Sequence, residues 1–175
     1  LEMQLKDAGI PTIHYIGPQI WAWRGGRIKK IIKAVSHMLV VFPFEEEIYR
    51  QARVPVTYVG HPLAEQIPMV PDVAGARRAL GLPEDANVVA IMPGSRMSEI
   101  KYNTAAFIGA ARLLKQRDRS LRFVAPMAGE RQRQYFLELV ARAGLRDVEI
   151  QLLDGQSHTA IAAAGAALVA SGTAS

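Results

Sequence analysis

The sequence predicts an α/β protein with parallel sheets, arranged in two parts. Three observations carry this. Short apolar, β-branched runs recur along the whole chain. Segments of helical periodicity separate them, which is the pattern of βαβ units and hence of parallel pairing. The rhythm breaks once, between residues 64 and 86, where Pro68, Pro71 and Pro83 punctuate the chain. That stretch is expected to connect a first domain, residues 1–63, to a second, residues 87–175, since boundaries fall in such segments.

Leu1, Leu5 and Ala8 recur at helical spacing, so the chain is expected to open within a helix, and both of its ends read as cut. Residues 10–16, IPTIHYI, are β-branched and aromatic and read as a strand, closed by Gly17-Pro18. Ile28, Ile31, Ile32 and Val35 fall on one face of a helix over 27–35, with Lys29, Lys30 and Lys33 off that face. Residues 37–42 read as a buried strand ended by Pro43. Glu45, Glu46 and Glu47 then suit the first turn of a helix, where carboxylates meet the positive end of the dipole. A strand over 54–59 closes at Gly60-His61-Pro62, and a short helix begins near Asp72.

Beyond residue 86 the alternation is regular. Strands are expected at 88–92, 121–126, 148–153 and 167–171. Helices are expected at about 98–116, 130–143 and 157–164, the second stopped by Gly144 as a left-handed C′ residue and the third capped by Ser157.

Half of the 175 residues are hydrophobic, enough for a sizeable core. The chain has no cysteine, which excludes disulfides and thiolate metal sites and fits a reducing compartment. No apolar run reaches the ~18 residues of a membrane span. The net charge of +5 is too small and too evenly spread to imply nucleic acid. The four histidines show no metal-ligand spacing, and no Asp-x-Asp pair is present. His14 and His37 lie in strands and read as structural, His61 as a turn residue satisfied by backbone, and His158 as solvated.

The informative stretch is VVAIMPGSRMSEIK, residues 88–101. In an open parallel sheet, ligands bind beyond the carboxyl ends of the strands. Here a strand ends at Pro93-Gly94-Ser95-Arg96. Gly94 permits a tight turn and close approach. The following helix offers unpaired N–H groups to an anion, and Arg96 adds a fork of donors suited to phosphate. The motif is neither GxGxxG nor a Walker A loop, and an ordinary strand-to-helix turn reads equally well. A second strand end, Ser171-Gly172-Thr173, repeats the small, hydroxyl-bearing character, and Asp154-Gly155 and Pro126-Met127-Ala128-Gly129 likewise lack bulk. Together they suit a nucleotide lying across one sheet edge.

Five blocks, IGPQIWAWRGGRIKKIIKAVSHMLVVFPFEEEIY, VTYVGHPLAE, IMPGSRMSEIK, LLDGQS and LVASGTAS, closely resemble the lipid-A-disaccharide synthase family, in order and over nearly the whole chain. The resemblance implies a glycosyltransferase-B fold of two Rossmann-like domains, incomplete here. It implies transfer, with inversion, of 2,3-diacylglucosamine from UDP to 2,3-diacylglucosamine 1-phosphate in lipid A biosynthesis, at the cytoplasmic face of the inner membrane, without a cofactor; dimers occur in the family. Gly94, Ser95 and Arg96 match its pyrophosphate loop, and Ser171, Gly172 and Thr173 the start of a second nucleotide motif. Arg96 is the expected stabiliser of the leaving group. The family's general base, an Asp, and a nucleotide-contact Glu lie outside this chain, so the chain alone is expected to be inactive. Another UDP-sugar enzyme of this fold, such as a UDP-GlcNAc 2-epimerase, or a non-catalytic nucleotide-binding module, is the alternative.

One basic segment belongs to none of these loops. WAWRGGRIKKIIK, residues 21–33, holds five positive charges and no acid. Trp21 and Trp23 with Arg24, Arg27, Lys29, Lys30 and Lys33 suit an anionic membrane surface or a lipid phosphate acceptor. Packing of the two indoles into a core or a cleft wall is the competing expectation.

Overall fold

The computed structural model describes residues 1–20 and 25–171. The chain divides into two compact units, Leu1–Met69 and Val70–Ser175.

The first unit runs α1 (Glu2–Asp7), β1 (Ile13–Tyr15), α2 (Ile28–Ala34) after a 3-10 turn at Gly25–Arg27, β2 (His37–Val40), α3 (Pro43–Gln51), β3 (Val56–Tyr58) and α4 (Leu63–Gln66). The three strands form one parallel sheet in the order β1-β2-β3. On the central strand, Met38 and Val40 alternate inward, as a period of two requires. They pack with Ile20, Val35, Tyr49 and Val54 into the core. Helix α3 starts on Pro43, whose missing N–H is no loss at the first helical position. Buried Glu45 Oε2 accepts the Phe42 N–H at 3.3 Å and closes that end. The expected apolar stripe of α2 is narrower than its spacing implies. Ile28 and Ile31 pack on the core, but Ile32 lies 41% exposed at the rim.

The second unit runs α5 (Val73–Ala79), β4 (Val88–Met92), α6 (Met97–Arg117), β5 (Arg122–Met127), α7 (Glu130–Arg142), β6 (Gln151–Asp154), α8 (Ser157–Ala163) and β7 (Ala166–Val169). Asp72 caps α5 through the Gly75 N–H at 2.8 Å. The sheet is fully parallel, in the order β6-β5-β4-β7. Every residue of β4 is buried because both faces are covered. Val89 and Ile91 face one cluster with Ile100 and Ile108 of α6 and Phe136 of α7. Val88 and Ala90 face the other, with Ala76 of α5 and Ala160 and Ala163 of α8.

Gly144, at φ 68°, ends α7, and the Leu145 N–H reaches back to the Val140 carbonyl at 3.0 Å. Two local expectations fail here. Strand β6 pairs only from Gln151, because Val148 is buried by the turn that closes on Leu145 rather than by a ladder. Ser157 is the first residue of α8 and not its cap. Gly155 and Gln156, at φ 63° and 56°, turn the chain so tightly that the cap position falls on Gln156.

Candidate nucleotide site at a strand switch point

The order β6-β5-β4-β7 contains a reversal. From β4 the chain steps outward to β5 and β6, then returns to the other side of β4 for β7. The connections on the two sides of β4 therefore cover opposite faces, α6 and α7 one and α8 with α5 the other, and the carboxyl edge between β4 and β7 is a switch point, the usual ligand position in such sheets. The register fixes the two strand ends side by side: Met92 pairs with Val169, and the Ala170 N–H donates to the Met92 carbonyl at 2.9 Å. Pro93–Arg96 and Ala170–Ser171 thus leave one edge as neighbours. Gly172 and Thr173 lie outside the described residues.

The β4–α6 loop is tightly built. Pro93 is fully buried, and its carbonyl accepts Nδ2 of Asn103, two turns into α6, at 3.0 Å. Gly94 takes φ 122°, a backbone that side chains rarely adopt. Any Cβ there would clash with Glu99 Cβ and lie 2.5 Å from its Oε2. Ser95 and Arg96 are exposed. Gln132, in the first turn of α7, reaches the Ser95 carbonyl at 3.4 Å and ties the β5 loop to this one.

The donors of this loop converge. The N–H groups of Ser95 and Arg96 both donate to Glu99 Oε2, at 2.9 and 3.1 Å. Nη1 of Arg96 donates to Oε1 at 2.6 Å. The Arg96 N–H, then its guanidinium, with the Ser95 N–H adding to them, hold the Glu99 carboxyl below the usual carboxylate range. Chemically this is a seat for an oxyanion: two backbone amides, one guanidinium and a helix N-terminus directed at one point. At the neighbouring strand ends, the Gly155 N–H donates to the Met127 carbonyl at 2.8 Å, and Arg133 on α7 pairs with Asp154 at 3.5 Å.

A family model described as lipid-A-disaccharide synthetase matches residues 1–175. The chain belongs to the lipid-A-disaccharide synthetase family. It is 50% identical over 175 residues to the lipid-A-disaccharide synthase of Aromatoleum aromaticum, covering all of this chain and 45% of that protein. It is 54% identical to that of Paraburkholderia phymatum over 174 residues, with 99% and 44% covered. For the synthase of Bordetella avium the figures are 53% over 182 residues, 99% and 46%. The chain thus spans about half the length of the curated relatives it matches. Its two parallel sheets with alternating helices are an incomplete portion of the family's Rossmann-like architecture.

Of the residues expected from sequence to serve this family's reaction, Gly94, Ser95, Arg96 and Ser171 lie at the switch point. Trp21, Trp23 and Arg24 fall outside the described residues. Arg27, Lys29, Lys30 and Lys33 belong to the first unit, where all four are exposed along α2 and the turn before it. Arg27 and Lys30 edge a cavity of 420 Å³ whose wall is mainly apolar, with Met3, Ile16, Ile31 and Met38. His61 is a turn residue: its Nδ1 accepts the Leu63 N–H at 3.2 Å. His14 pairs with Glu2 at 2.6 Å and His37 with Thr57 at 2.9 Å. Among the described residues, no three His, Asp or Glu gather in a way that could hold a metal.

Two supports of the loop were not singled out from sequence. Asn103 carries a usable signal, since Glu99 and Asn103 are polar at i, i+4 on the helix that follows the loop. Gln132 carries none, because its proximity to Ser95 comes from the β5–β4 pairing.

Proposed function

We propose that the intact protein joins UDP-2,3-diacylglucosamine to 2,3-diacylglucosamine 1-phosphate, giving the lipid A disaccharide 1-phosphate and UDP. The observation that carries this is the pair of adjacent strand ends at the switch point of a sheet whose whole chain belongs to the family. In this reading the diphosphate of UDP sits on the amides of Gly94–Arg96, with Ser171, Gly172 and Thr173 on its other side.

Charge develops on the UDP oxygen as the sugar C1–O bond breaks. A fixed guanidinium there stabilises the transition state more than the ground state. Arg96 takes that role. The acceptor 6-hydroxyl attacks from the opposite face, so the anomeric centre inverts, and its proton goes to a base supplied from outside residues 1–175. The isolated chain is accordingly inactive.

The lipid-bearing substrates and a peripheral position on the inner membrane, facing the cytoplasm, follow from the same reading, as does a homodimer. Two features favour the lipid contact. Arg27, Lys29, Lys30 and Lys33 are all exposed, and the cavity that Arg27 and Lys30 line, with the Glu2–His14 pair also on its wall, is mainly apolar. Among the described residues no helix is long and apolar enough to cross a membrane. The test is a transfer assay with the intact protein, donor and acceptor, reading disaccharide by mass. Formation of the tetraacyl disaccharide with release of UDP is expected. Hydrolysis or epimerisation of the donor, with no disaccharide, would overturn the assignment.

A further inference from the structure

Three donors of the β4–α6 loop are taken by one internal group. Ser95 N–H, Arg96 N–H and Arg96 Nη1 point at the two oxygens of Glu99. Gly94 lets this happen: a side chain there would collide with Glu99. A backbone N–H makes one good hydrogen bond at a time, so the two amides cannot hold Glu99 and a phosphate together. Two anions on one seat would also repel.

The geometry points to Glu99 as a specificity-determining residue: its carboxylate is a resident anion that keeps the empty loop in binding shape and must rotate away when a diphosphate binds. The inference rests on the assignment of this loop to UDP. Its physical content is a preformed seat with a built-in competitor. The loop pays no ordering cost when ligand arrives, but only the fraction with Glu99 displaced is competent, and apparent affinity falls by that fraction. A ligand that brings more negative charge than a single carboxylate is favoured over a weaker anion.

The test is UDP titration of the intact protein, wild type against Glu99→Gln, with uridine as the control that carries no phosphate. Glutamine keeps the size and can accept the two amides through its one oxygen, without charge and so roughly half as strongly, but its NH2 cannot accept from Arg96, and that ion pair is lost. E99Q is expected to bind UDP roughly tenfold tighter than wild type, with uridine affinity unchanged. Equal or weaker UDP binding by E99Q, while wild type binds UDP, overturns the resident-anion role and leaves the UDP site standing. UDP binding to neither protein overturns the site assignment and this proposal with it. Should E99Q fail to fold, a structure of the wild-type UDP complex decides. Ser95 and Arg96 amides on diphosphate oxygens, with Glu99 turned out, support the proposal; Glu99 still accepting both amides overturns it.

Discussion

Replacing Gly94 with alanine tests the construction of the loop. Two costs add at this position. The first is backbone strain. A residue with a Cβ at φ 122° leaves its allowed regions, at about 1–3 kcal/mol. The second is steric. The new methyl would collide with Glu99 Cβ, which side-chain rotation cannot move, and lie 2.5 Å from Oε2 and 3.1 Å from Cδ, so the loop itself must shift. Forcing a methyl into filled space costs about 1–3 kcal/mol. Gly81 separates the two effects. It also has positive φ, 68°, but a Cβ there meets nothing within 4 Å. Gly81→Ala should therefore cost the strain alone, about 1–2 kcal/mol, and Gly94→Ala roughly 2–5 kcal/mol. Urea unfolding of the intact protein measures both, as midpoint shifts at unchanged slope. UDP titration should show G94A weakened and G81A unaffected. A G94A that costs no more than G81A and binds UDP normally would refute the packing of Glu99 under the glycine.

Three further outcomes are expected. Arg96→Ala in the intact protein should lower kcat by about 10²-fold or more, as loss of one preorganised donor does elsewhere; wild-type turnover would remove Arg96 from the leaving-group role. Tyr49→Phe should raise stability by about 1 kcal/mol or leave it unchanged, because the buried Tyr49 hydroxyl has no partner among the described residues. Burial first, and then Glu45, push that phenol up to about 12, so the stability of its neutral form is present below the ordinary value near 10 and is lost as pH rises through about 12. Y49F should flatten this alkaline limb in melts at pH 9 to 12, and a Y49F that is clearly less stable at pH 7 would contradict the orphan hydroxyl. Neutralising Arg27, Lys29, Lys30 and Lys33 together should reduce flotation with anionic vesicles, most at low salt; undiminished flotation would remove the electrostatic contact.

The architecture was legible where local signals agree with tertiary ones. Strand β4 was read to the residue, because an unbroken apolar run ending in Pro-Gly leaves no other choice. Helices α6 and α7 were read to within a residue at each end, from periodicity and from Gly144. Reading failed where burial and pairing part company. Val148 is as apolar as a strand residue but is covered by a turn. Ser157 is a good capping residue, displaced by two consecutive left-handed residues that composition does not announce.

At the candidate site the sequence displayed the glycine, the arginine and the neighbouring strand ends. Glu99 reads from sequence as favouring the helix dipole or orienting Arg96, and the structure adds that it also gathers both backbone amides. Glu99 lies three positions after Arg96, which fits an ordinary helix start equally well. The convergence appears only once Gly94 folds the loop back over the first turn of α6. Gln132, brought in by strand pairing, lay beyond any local signal.

The proposed function requires the diphosphate of UDP to bind at the switch point between β4 and β7. The most direct measurement is the set of backbone amide shifts in the intact protein as UDP is added. The largest changes are expected at Gly94, Ser95, Arg96 and Ser171, with Arg96→Ala abolishing them. Changes confined to the opposite, amino-terminal edge of the sheet, beside Lys115 and Arg122, would contradict it.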